Sequence, residues 1–90
     1  MWAKNKKSMT KAEREHVTRV KETDCVLCDA SAPTEAHEIK QGQWFTSIAL
    51  CAECHRGKHG WHGDKVLWKI RKMDELDALN ETLRRLLEAR

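Results

Sequence analysis

Two C-x2-C pairs, Cys25-Val26-Leu27-Cys28 and Cys51-Ala52-Glu53-Cys54, constrain this chain more than any other feature. They hold all four cysteines of a 90-residue sequence, with 22 residues between the pairs. A chain this short forms at most one domain. It hides only about 60% of the surface that it exposes when unfolded, so its apolar core alone is marginal and a staple is expected. Two tight turns that each present two thiolates complete a tetrahedron with Zn–S distances of about 2.3 Å. A thioredoxin-like disulfide would instead need one pair in a βαβ setting, and no such pattern is present. No apolar run reaches the ~18 residues of a membrane span, and Met1-Trp2-Ala3-Lys4 begins no signal peptide. The expectation is a cytoplasmic protein with no membrane partner, in a reducing compartment where a metal is favoured over disulfides. The predicted cofactor is one structural Zn²⁺ on Cys25, Cys28, Cys51 and Cys54, closed to water and serving the fold.

The net charge of +3 is unevenly spread: residues 1–22 carry +4, residues 23–63 carry −2, and residues 64–90 carry +1. Residues 1–9, with Lys4, Lys6 and Lys7, read as a flexible basic arm suited to an anionic polymer or to solubility alone. Residues 10–90 read as a single domain. Thr10-Lys11-Ala12-Glu13 fits a capping box, so residues 10–22 should form a helix with Val17 and Val20 inward and His16 on the exposed face. Residues 23–63 hold the cysteines, four of the five histidines and all four glycines, without a long helical period. Residues 64–90 return to helix. Asp64 is placed to cap a segment with Val66, Leu67 and Ile70, and Asp74 to cap another. There Leu76, Leu79, Leu83, Leu86 and Leu87 recur at three- and four-residue steps. That stripe should pack on the protein's own core; a homodimer seam is the second reading, so monomer and dimer both stay open. Trp44 and Trp61 are expected to serve core packing before base stacking.

His55 directly follows Cys54, and His59 comes four residues later. On one helix that spacing puts both imidazoles on the same face, able to grip a cation. His37 sits in Glu35-Ala36-His37-Glu38-Ile39, a short segment that suits a strand. If a metal ties the two cysteine turns together, the chain between them doubles back, and a hairpin carrying His37 lies against the helix carrying His55 and His59. His62, in Gly60-Trp61-His62-Gly63, is placed to touch phosphate or to cap the next helix.

From Cys25 to His59 the sequence resembles the HNH, or ββα-metal, endonuclease family in its zinc-stapled form. The resemblance rests on Cys25/Cys28, His37-Glu38-Ile39, Gly42-Gln43, Thr46 and Leu50-Cys51-Ala52-Glu53-Cys54-His55. The tail from His55 to Gly63 is similar to small phage nucleases related to the RecA-dependent nuclease group. The resemblance implies a small α+β fold: a ββα-metal core stapled by the four-cysteine zinc knuckle, flanked by an N-terminal helix and C-terminal helices. It implies a phage- or prophage-encoded endonuclease acting on DNA, with a recombinase filament as a candidate partner. His37, His55 and His59 would hold a catalytic divalent ion such as Mg²⁺, Mn²⁺, Ni²⁺ or Zn²⁺. Glu38 stands where the family places its general-base histidine, and Thr46 where it places the asparagine that orients that base. Catalysis would thus fall to Glu38, His37 and His55. Lys4, Lys6, Lys7, Lys40, Arg56, Lys58 and His62 would contact nucleic acid. The competing readings are a non-catalytic zinc-ribbon module that binds nucleic acid, and a protein-interaction module working through its C-terminal helix.

Overall fold

The computed structural model describes residues 8–89. Lys4, Lys6 and Lys7 lie outside the described residues. The first helix, α1 (Lys11–Lys21), begins at a reciprocal cap. Thr10 accepts from the Glu13 amide, and Glu13 reaches back to the Thr10 amide. Two of the orphan donors of the first turn are thereby satisfied. Val17 and Val20 turn inward, while charged residues cover the outer face.

Two strands follow, β1 (Glu35–Glu38) and β2 (Ser47–Leu50), paired antiparallel with His37 opposite Ile48 and Glu38 opposite Ser47. An isolated pair of short strands is marginal in water. Here β2 is buried along its whole length, with α1, α4 (Glu75–Glu88) and the short α2 (Ala52–Arg56) packed against it. Val26 joins from the first cysteine turn by donating its amide to Ala49. The core gathers Val20, Val26, Leu27, Ile48, Leu50 and Leu79 around the buried Cys25 and Cys54. The result is a small, compact α+β fold with a radius of gyration of 13.0 Å. Among the described residues no helix is long and apolar enough to cross a membrane.

The C-terminal segment divides at Lys72 and Asp74. A short helix α3 (Val66–Arg71) buries Trp68, whose indole N–H donates to the Cys54 carbonyl at 2.9 Å. Trp61 packs edge-on against Trp68 and belongs to the core margin. Asp74 caps α4 in a second reciprocal box with Asp77. The leucine stripe does not face the core as a set. The face of α4 that meets the core is Ala78, Leu79, Thr82 and Leu86, while Leu76 and Leu87 are 71% and 63% exposed. Apolar burial and a polar contact act on the same face: Ala78, Leu79 and Leu86 are buried there, and the buried Thr82 hydroxyl donates to the Ala78 carbonyl and accepts the Ala49 amide of β2. A stripe including Thr82, not the full leucine set, therefore faces the sheet. His16 is also turned further in than expected, half-buried with its ring 5.4 Å from that of Phe45.

Candidate metal centres

The four cysteines converge. Cys25 and Cys28 close a turn in which the Asp29 amide donates to the Cys25 carbonyl, with Asp29 left-handed at φ 65. Cys51 caps α2, accepting the Cys54 amide on its sulfur, and Cys54 lies one turn in. All four sulfurs lie within 4.8 Å of one another. Cys28 and Cys51 sulfurs are 3.7 Å apart. Two thiolates bound tetrahedrally at about 2.3 Å are separated by about 3.8 Å, so the spacing fits a metal ion. Burial, reinforced by the charge of Cys25, pushes the Cys54 thiol far up. Burial opposes ionisation of Cys25 as well, but backbone amides of Cys51, Cys28 and Leu27 outweigh it and hold Cys25 below its ordinary value. Four sulfurs this close ionise together only around a cation.

A second cluster brings His37, His55 and His62 together, one nitrogen from each lying within 4.8 Å of the others. His37 is buried on β1, His55 half-buried on α2, and His62 exposed. His37 Nδ1 and His55 Nε2 are 3.2 Å apart, near the ~3.3 Å separation of two imidazole nitrogens on one tetrahedral ion. The rings line an open pocket of about 230 Å³ together with Ala36, Glu38 and Gln41. No protein family, characterised protein or solved structure matches this chain.

His59 does not join this cluster. The helix expected to carry it ends at Arg56, because Gly57 takes an extended conformation (ψ 172) and caps the carbonyls of Ala52 and Glu53. The chain then folds back along α2, with Trp61 donating its amide to Cys54 and His62 to His55. The returning segment lies so close to the helix that a Cβ on Gly60 would meet the Glu53 carbonyl oxygen at 2.5 Å. His62 is thus set beside His55, and His59 is turned outward to Asp64 at 2.9 Å. The His59 hydrogen bond holds the Asp64 carboxyl below its usual range.

Arg56 is likewise engaged. It grips Glu35 through both Nε and Nη2, at 3.0 and 2.7 Å, and so faces a carboxylate where a phosphate was expected. Those bonds, with a smaller contribution from His55, keep the Glu35 carboxyl below its ordinary value. Lys40 and Lys58 are exposed and in no ion pair among the described residues. Glu38 borders the pocket, with Oε1 accepting the Gly42 amide at 2.8 Å. Thr46 turns its hydroxyl to the Gln43 carbonyl, inside the hairpin loop, and does not bond Glu38. Sequence reasoning missed Glu75, whose Oε2 lies 2.6 Å from His37 Nε2. A carboxylate 38 residues from its partner leaves no local signal.

Proposed function

We propose that this chain is a small metal-dependent endonuclease of the HNH type, hydrolysing DNA phosphodiester bonds at the His37, His55 and His62 centre. The observation that carries the reading is the convergence of three imidazoles beside Glu38, in a pocket open to solvent, on a hairpin and helix stapled by four cysteines. The order β1, β2, α2 and the open mouth support an HNH-like core. The four-cysteine cluster, all sulfur and with Cys25 and Cys54 buried, suits a closed structural zinc.

His37, His55 and His62 would hold a divalent ion. Such an ion would supply Lewis-acid stabilisation of the charge that develops on the phosphate. Glu38 accepts the proton of the attacking water as the new P–O bond forms; the P–O3′ bond breaks, and the 3′ oxygen takes a proton from solvent. The Gly42 amide keeps Glu38 oriented during this transfer. Lys40 and Lys58 take the flanking phosphates without reading sequence. The arm with Lys4, Lys6 and Lys7 adds charge for the same backbone.

The test joins metal analysis to plasmid nicking with Mg²⁺, Mn²⁺, Ni²⁺ or Zn²⁺. The expected protein carries two ions and nicks DNA. Glu38→Gln should keep both ions and lose about 10²–10⁴-fold in rate, the ordinary cost of a missing general base. One ion per chain and no nicking under any metal would overturn the proposal in favour of a zinc-ribbon binding module.

A further inference from the structure

His37 and His55 each meet a carboxylate on the ring nitrogen that faces away from the cluster. His37 Nε2 lies 2.6 Å from Glu75 Oε2, and His55 Nδ1 lies 2.7 Å from Glu35 Oε1. The nitrogens that face each other are the opposite ones, Nδ1 of His37 and Nε2 of His55. A neutral imidazole has one N–H and one lone pair. A carboxylate that accepts the N–H at one nitrogen leaves the lone pair on the other. Both lone pairs are therefore presented to the same point, at a separation that a single tetrahedral ion can bridge.

We propose that Glu75 and Glu35 are the outer positioning residues of the three-imidazole centre, and that together they poise it for a borderline transition ion of the Zn²⁺, Co²⁺ or Ni²⁺ class in preference to Mg²⁺. This deepens the metal-site reading above and rests on it. Imidazole nitrogen suits Zn, Ni and Co, whereas Mg²⁺ demands oxygen ligands and retains its waters. Two carboxylates behind the rings raise the donor strength of the nitrogens, offset the charge of the ion and fix the ring planes. The two arrive by different routes. Glu35 opens β1 and is locked by the fork of Arg56, so the arginine expected at phosphate serves the ligand sphere. Glu75 is the first residue of α4, directly after the Asp74 cap. Its place is set by Thr82 and Leu79, which seat α4 on the core. The C-terminal helix is thereby part of the metal centre and not merely a flank to it.

The experiment uses the full chain with Zn²⁺ in the cysteine centre and Co²⁺ as the added probe. Cobalt at the imidazoles gives ligand-field bands without thiolate charge transfer; any exchange into the cysteine centre announces itself by that charge transfer. Glu75→Gln and Glu35→Gln, which preserve side-chain shape, should each weaken Co²⁺ binding by about 10–100-fold. Mg²⁺ at the same concentrations should not compete. In the wild-type chain before Co²⁺ is added, nitrogen-15 spectra should find His37 protonated on Nε2 and His55 on Nδ1, a signature that needs no variant. Unchanged Co²⁺ affinity in both variants, or the opposite ring tautomers, would overturn the positioning role while leaving the metal site intact. Equal binding of Mg²⁺ and Co²⁺ would overturn the choice of metal. A wild-type chain that takes up no second ion at all would remove the centre itself, and the proposed function with it.

Discussion

At the scale of single residues, the candidate site turns on which histidine stands third. His59 and His62 are three positions apart, yet one faces Asp64 in solvent and the other borders the pocket. The expected outcome is a separation of two alanine variants. His62→Ala should lose the second ion measured by metal analysis, whereas His59→Ala should keep it and melt close to the parent. The reverse pattern would return His59 to the ligand set. The lysines separate from Arg56 in the same way. Lys58→Ala should lower the slope of log K against log salt for DNA by about 0.9, the share of a single neutralised phosphate. Arg56→Ala should act instead on second-ion affinity, since its guanidinium holds Glu35.

At the scale of elements, two close fits decide where the functional side chains stand. The turn after α2 lies against the α2 carbonyls, and Gly57 and Gly60 permit it. Gly60→Ala should push the turn outward, costing the second ion while the ion on the cysteines stays. Metal content of the purified variant checks this, and two retained ions would refute it. The other fit is α4 on β2. Thr82→Val keeps the volume but leaves the buried Ala49 amide without its acceptor. An unsatisfied buried donor costs about 1–3 kcal/mol, readable as a lowered urea midpoint of the metal-loaded protein. Because α4 carries Glu75, the same variant should also loosen the second ion.

For the whole molecule, the four-cysteine cluster could bind a metal ion, and the proposed structural zinc there would be the interaction on which folding depends. Structural zinc in such sites contributes roughly 10–16 kcal/mol, comparable to or larger than the ~5–15 kcal/mol stability of an entire domain. Chelation or Cys28→Ser should unfold the chain, followed by circular dichroism. Acid acts through the same centre. Thiolates must be deprotonated to hold the ion, so stability is present at neutral pH and is lost as pH falls and protons displace it. The carboxylates contribute with the same sign but lower down. Glu81, hydrogen-bonded by Arg84 and Arg85, is lowered to about 2, so its contribution is complete above the ordinary carboxylate range and is lost progressively as pH falls from that range through about 2. Release of the ion, read by a chromogenic chelator, should therefore coincide with unfolding at a pH well above that at which Glu81 protonates. Release with the fold retained would show that the apolar core suffices.

Whatever is local in the chemistry could be read from the order of the amino acids. The caps of α1 and α4 were legible because Thr10 and Asp74 act on residues three positions away. The cysteine cluster was legible because each C-x2-C pair is one turn, and the two turns bring all four sulfurs together. His37 and His55 could be paired by the same logic, since a hairpin must close once the two cysteine turns are joined. The remainder depends on how the elements pack. Helical spacing made His59 the natural partner of His55, but Gly57 and Gly60 let the backbone fold onto α2 and bring His62 instead. The leucine period named a helix face without naming its rotation, which depends on how Ala78, Leu79, Thr82 and Leu86 seat against β2 and the core. Glu75 behind His37 follows from that docking alone, because a contact across 38 residues depends on how elements pack and leaves no pattern in the order of the amino acids.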